Sequence, residues 1–188
     1  MAQKVVLVAG ASGFVGGAVI QRFTAAGWQV IGLSRRAPAK KVPGVEYRRV
    51  DLLDREACRT SLPDLRNVTH VVYAAVNETP GDLVASWTDP THAARNGGML
   101  EHLLDALLPA ALDLQHVALV HGTKAYATHL ANRPMVPLRE SMPRPLAYSL
   151  PLKLAISITS ASRCSGGMVR GAAPLIAGGN TLRTAGSL

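Results

Sequence analysis

Hydrophobic positions along the chain follow two alternating rhythms. Short strand-like runs recur at Lys4 to Ala9, Trp28 to Leu33, Val45 to Val50, Val68 to Ala75 and Gln115 to Val120. The first sets Val5, Val6, Leu7 and Val8 in succession with no polar alternation, the pattern of a central parallel strand buried on both faces. Between these runs the period lengthens to that of an amphipathic helix. Val15, Val19, Ile20 and Phe23 give an apolar stripe to a helix over Phe14 to Ala26, and Gly27 stops it. A short helix is expected at Asp54 to Ser61, where the acidic first residue suits an N-cap. A longer helical pattern runs from Leu83 to Leu108 through Met99, Leu100, Leu103, Leu104, Leu107 and Leu108, with Pro90 interrupting or beginning part of it. Strands and helices in alternation, joined by short turns, predict an α/β fold: a doubly wound parallel sheet covered on both faces.

Composition narrows this picture. A chain of 188 residues with 48% hydrophobic content can bury the core of one soluble globular domain with an appendage. The apolar run behind Lys4 is too short for a signal sequence or a bilayer span, so a cytoplasmic protein with no membrane partner is expected. Cys58 and Cys164 are far apart and lack a C-x-x-C partner, which points to buried free thiols and no metal cluster. The net charge of +8 would suit nucleic acid, but half of it comes from Lys153, Arg163, Arg170 and Arg183 in an acid-free stretch from Tyr148 to Leu188. No basic block is interleaved with aromatics, which make up only 4% of the chain, so nucleic acid is not the expected partner.

Where the first strand hands over to the first helix the sequence reads GASGFVG, with Gly10, Gly13 and Gly16 at three-residue spacing. A glycine at a strand end permits a tight turn, a second lets backbone approach a pyrophosphate, and a third lets helix pack closely on strand. The helix start then offers free N–H groups to the phosphates. A strand before and a helix after, within about thirty residues, is the context in which such a loop holds a dinucleotide.

The spacing G-x-x-G-x-x-G and the form GASGFVG resemble the short-chain dehydrogenase/reductase superfamily in its extended, epimerase-like branch. The resemblance implies a Rossmann-type, NAD(P)-binding fold in which residues matching Ser12, Gly13, Phe14 and Val15 line the pyrophosphate site. NAD-selective members carry an acid at the end of the second strand for the ribose 2′-hydroxyl; here stand Ser34, Arg35 and Arg36. Two guanidiniums suit a 2′-phosphate, so NADP(H) is expected in preference to NAD(H). Asp51 and Leu52 match the family pair beside the adenine, and Ala74, Ala75 and Val76 the stretch that runs under the cofactor.

Most members of that superfamily place their catalytic pair as Y-x-x-x-K, which puts Tyr and Lys on one helix face. No such pair exists in this chain. The stretches NGGMLEHLLDAL, LQHVALVHGTKAY and PLRESMPRP, between Asn96 and Pro145, resemble instead the progesterone 5β-reductase and iridoid synthase-like enone reductases, a resemblance covering about residues 4 to 145. That branch draws its lysine from a G-T-K motif, matched by Gly122, Thr123 and Lys124. It implies hydride transfer from NADPH to the β-carbon of a small conjugated carbonyl substrate, with a tyrosine hydroxyl stabilising the enolate oxygen and Lys124 holding cofactor and tyrosine in place.

The branch's tyrosine lies in an N-F-Y-Y segment about thirty residues beyond the lysine, where this chain has LAISITSA. The expected division is therefore residues 1–146 as a dinucleotide-binding domain, with 147–188 an aberrant, poorly ordered tail in place of the substrate-binding region. A shift of reading frame would account for such a tail: AISIT can be written GCA-ATT-TCT-ATT-ACG, which read from its third base gives Asn-Phe-Tyr-Tyr. Two other functions stay open: a nucleotide-sugar epimerase or dehydratase, and a truncated dinucleotide-binding protein without turnover. Six histidines without H-x-x-x-H or H-E-x-x-H pairing, and the lack of a G-x-S-x-G elbow, speak against metal or serine hydrolase chemistry. The long helix before the fifth strand is where relatives of the superfamily often pair, so a homodimer is one assembly the resemblance allows and the oligomeric state stays open.

Overall fold

The unbroken apolar run forms β1 (Val5–Ala9), each residue of which is at most 2% exposed. The computed structural model describes residues 3–78, 89, 91–120, 176–178 and 181–183. In chain order β1 is followed by α1 (Phe14–Ala25), β2 (Gln29–Ser34), β3 (Glu46–Arg49), α2 (Arg55–Ser61), β4 (His70–Tyr73), α3 (His92–Leu107) and β5 (His116–Leu119). The strands lie in the order β3-β2-β1-β4-β5. β1 pairs in parallel with β2 from Val5 beside Gln29 to Ala9 beside Leu33, and with β4 from Val6 beside His70 to Ala9 beside Tyr73. β2 pairs in parallel with β3, setting Ser34 beside Arg49.

The chain steps outward from β1 to β2 and β3, then returns to β4 on the other side. Right-handed crossovers therefore place α1 on one face of the sheet and α2 and α3 on the other. Between β1 and β4 the connections diverge, and that switch point opens a crevice at the carboxyl ends of the strands. The core is built from β1, from Val30, Ile31 and Leu33 of β2, and from Leu100, Leu103, Leu104 and Leu107 of α3, all at most 5% exposed.

Local chemistry sets the element ends. Asp54 caps α2 as the sequence predicts, its Oδ1 accepting from the Ala57 N–H at 3.0 Å. Gly27, at φ +76°, turns the chain out of α1. Thr69 is buried and holds the start of β1: its hydroxyl donates to the Val5 carbonyl at 2.9 Å and accepts from the Val5 N–H at 3.0 Å. The Gln115 N–H donates to the Thr69 carbonyl at 2.8 Å, bringing the approach to β5 beside β4.

One helix expectation is corrected at a single position and another is narrowed. In α1 the buried positions are Gly16 and Ile20, while Val15 is 43% exposed, because Gly16 is the residue that presses on the glycine loop and so fixes which face meets the sheet. The long helical pattern is also not continuous through Asp89. Asp89 is outside the helix and its Oδ1 accepts from the Thr91 N–H and hydroxyl at 2.8 and 2.7 Å, and α3 starts at His92 with Thr91 as its N-cap. The part of that pattern at 83–88 lies outside the described residues.

The chain divides into two compact units, residues 1–117 and 118–188. In the second, β6 (Ile176–Gly178) and β7 (Thr181–Arg183) form an antiparallel pair with Ile176 beside Arg183. Among the described residues no helix is long and apolar enough to cross a membrane.

Candidate functional site

The carboxyl ends of four parallel strands converge on a cleft. The β1–α1 loop contributes Gly10 and Gly13, the end of β2 contributes Leu33, Ser34 and Arg35, and the chain beyond β3 contributes Val50 and Leu52. Ala74, Ala75 and Val76 line it beyond β4, and Met99 from α3 completes it. Among the described residues of this lining Arg35 is the one charged side chain, so the cleft favours an anion.

The three glycines of the loop have different reasons to be glycine. Gly10 has φ +89°, and a Cβ there would lie 2.7 Å from the Ala74 carbonyl oxygen. A Cβ on Gly16 would overlap the Gly10 carbonyl, whose carbon would be 2.7 Å away. Protein packing thus accounts for both. Gly13 has an ordinary φ of −84° as the N-cap of α1, and a Cβ there would approach only the Gly10 oxygen, at 3.3 Å. Its bare backbone lines the cleft at the start of α1. The first N–H groups of a helix have no intrahelical acceptor, so this part of the cleft suits a pyrophosphate. The loop itself is held by the Gly10 and Ala11 N–H groups, which donate to the Leu33 carbonyl at 3.0 and 2.9 Å.

At the end of β2 the Ser34 hydroxyl donates to the Arg36 carbonyl at 2.6 Å, a turn that shapes the chain bearing both guanidiniums. Arg35 and Arg36 are exposed, and among the described residues neither meets a carboxylate. Beyond β3, Asp51 Oδ1 accepts from the Leu53 N–H at 3.0 Å, and His102 Nδ1 of α3 donates to the Leu52 carbonyl at 2.9 Å. The opposite lip is held by α3 as well. Asn96 Oδ1 accepts from the Asn77 N–H at 2.7 Å, while Asn96 Nδ2 and His92 Nε2 donate to the Asn77 carbonyl at 3.2 and 2.9 Å.

Of the predicted cofactor residues, Gly10, Gly13, Ser34, Arg35, Leu52, Ala74, Ala75 and Val76 share the cleft lining. Ser12, Phe14 and Val15 are exposed around the start of α1, Phe14 at 95%, and Gly16 is buried under the loop. Arg36 and Asp51 stand next to lining residues and shape the loops that carry them. Thr123 and Lys124 lie outside the described residues. Sequence reasoning missed Leu33, Val50 and Met99 as lining and His92, Asn96 and His102 as supports. The signal available was position: the first two end parallel strands, and the others share one helical face with Met99.

Neither described tyrosine is among the residues that line the cleft. The Tyr47 hydroxyl accepts from the Val42 N–H at 3.2 Å. Tyr73 is 5% exposed, its hydroxyl has no hydrogen-bond partner among the described residues, and burial, with Cys58 nearby, raises its pKa further above the phenol range. Cys58 is fully buried as the sequence predicts; burial, and then the charges of Asp54 and Asp51, push its thiol up to about 11, which makes it unreactive. Cys164 lies outside the described residues.

Residues 6–145 match the NAD dependent epimerase/dehydratase family. A 3-oxo-Delta(4,5)-steroid 5-beta-reductase of Arabidopsis thaliana is 32% identical over 157 residues, 76% of this chain and 38% of the relative. An (S)-8-oxocitronellyl enol synthase of Antirrhinum majus is 30% identical over 155 residues, 76% of this chain and 37% of that protein. The chain thus spans less than two fifths of the length of these curated relatives. Among solved structures, a Thermus thermophilus UDP-glucose 4-epimerase in complex with NAD superimposes with a TM-score of 0.64 at 23% identity, over 84% of this chain and 51% of that one. That likeness establishes the shared sheet architecture.

Proposed function

Because the chain belongs to the NAD dependent epimerase/dehydratase family, we propose that it binds NADP(H) in the strand-end cleft and acts as an oxidoreductase on a small conjugated carbonyl compound. The observation that carries the cofactor reading is the conjunction of the bare Gly13 backbone at the start of α1 with Arg35 in the same lining. Arg35 and Arg36 would grip the 2′-phosphate by charge-assisted hydrogen bonds, Gly10 and Gly13 would let the backbone approach the pyrophosphate, and Ala74 to Val76 would floor the far half of the cofactor. The reduced nicotinamide supplies a hydride when bound.

The substrate reading rests on the two relatives, whose names specify a 3-oxo-Δ4,5-steroid and an 8-oxocitronellyl enol, and on the G-T-K motif at Gly122 to Lys124. In this reading Lys124 orients the cofactor, and the hydroxyl that meets the carbonyl oxygen comes from outside the described residues. A sugar-nucleotide epimerase would use a Tyr-x-x-x-Lys pair, which the sequence lacks. That same lack, with no N-F-Y-Y segment, favours a second reading: dinucleotide binding without turnover. NADPH consumption with small enones, followed by absorbance on protein first shown to bind NADPH, separates the two. Binding with steady consumption supports the reductase; binding with none selects the second reading; no binding contradicts both.

A further inference from the structure

The segment that floors the far half of the cleft has few anchors of its own. The Ala74 N–H donates to the Ala9 carbonyl at 2.9 Å, the last bond of the β1–β4 ladder. Ala75 and Val76 follow, and among the described residues their backbone has no bond to the sheet. The next anchor is Asn77, and it is gripped entirely from α3. The Asn96 amide answers both polar groups of the Asn77 backbone, accepting from its N–H at 2.7 Å and donating to its carbonyl at 3.2 Å, as the edge of a neighbouring strand would. His92, one turn earlier, adds a second donor to the same carbonyl at 2.9 Å, and Asn96 Nδ2 is itself steadied by the His92 carbonyl at 3.0 Å. Met99 follows Asn96 by three residues on the same helical face and lines the cleft.

We infer that Asn96, seconded by His92, is a positioning residue for the dinucleotide: its side chain substitutes for a strand beyond the end of β4 and fixes Ala75 and Val76 where the nicotinamide half must lie. The inference rests on the proposed cofactor site. With the 2′-phosphate at the end of β2 and the pyrophosphate at the start of α1, the rest of the molecule extends over the end of β4. The adenosine end is held by residues that Asn96 does not touch. Loss of the grip therefore acts on one half of the cofactor and spares the other.

The test compares two ligands on the full chain by calorimetry: NADPH, and adenosine 2′,5′-bisphosphate, which carries only the adenosine end. Asn96→Ala should weaken NADPH about tenfold, the loss of a hydrogen-bonded pair, and leave the bisphosphate within about twofold. Asn96→Asp keeps the acceptor but loses the donor, and should show the same selectivity. Equal losses for both ligands, or none for either, would overturn the inference. A readout independent of the cofactor is hydrogen exchange at the Asn77 amide in ligand-free protein, which should be at least about tenfold faster in N96A than in wild type. Wild type that binds neither ligand would contradict the cofactor reading alone, and unchanged exchange would overturn the grip.

Discussion

Gly16 and Gly17 are neighbours in α1 with opposite demands. A Cβ at Gly16 would collide with the Gly10 carbonyl, whereas a Cβ at Gly17 has nothing within 4 Å. Gly16→Ala should therefore destabilise the protein by about 1–3 kcal/mol through overpacking, and Gly17→Ala should stabilise it by about 0.5–1 kcal/mol through helix propensity. Urea unfolding of the two variants measures both signs, and equal effects would contradict the loop packing described. At the end of β2, Arg35→Ala should weaken NADPH by tenfold or more, since a charged hydrogen bond contributes about 1.5–3 kcal/mol, while NADH is unaffected. Titration of both nucleotides checks it, and an equal change in the two would remove the 2′-phosphate assignment. At this scale the glycines and Asp54 were legible because each needs its residue type for a stated reason. Leu33, Val50 and Met99 were not, because an apolar residue that faces a cleft has the same sequence signature as one that faces the core.

Strands and helices were legible wherever burial is one-sided or complete. β1 and β2 fall within one residue of expectation because aliphatic runs leave no other solution. β3 was found despite its Glu46, Arg48 and Arg49, because Val45 and Val50 flank it and the register with β2 fixes the rest. On α1, Ile20 is buried as expected, but Val15 is exposed and Gly16 takes its place, because hydrophobicity alone does not register a glycine required by contact. Sequence also gave no sign of what gathers at the amino end of β4: Trp28 meets His70 edge-on at 4.7 Å, Lys4 Nζ lies 5.2 Å from the Trp28 ring, and His116 lies 6.2 Å from His70. Burial first, then His116 and Lys4, hold the His70 imidazole below its usual 6.5. The unfolded chain therefore takes up this proton at higher pH than the folded one, so the stabilisation is whole above pH 6.5 and is lost as pH falls through the folded value. The urea midpoint should drop on acidification from about pH 7.5 to about pH 5. His70→Asn should flatten part of that drop, and a variant with the wild-type slope would show that His70 is not its source.

Alternating strands and helices were enough to predict the parallel sheet, because crossover handedness leaves few topologies for that order of elements. The substrate side was not legible. The two curated relatives match 76% of this chain, but the chain spans only 38% and 37% of their own lengths, and Thr123 and Lys124 lie outside the described residues. The departure from the family pattern after Leu146 carries its own check. Coding DNA across codons 140–188, read one frame over, should restore an Asn-Phe-Tyr-Tyr segment and continue the family; a shifted frame that does neither would contradict it. The central claim is that the strand-end cleft holds a dinucleotide by its 2′-phosphate, and calorimetric titration of the folded protein with NADPH and NADH tests it most directly. The predicted result is micromolar binding of NADPH with NADH at least about tenfold weaker; no heat with either nucleotide, or equal affinity for both, would contradict it.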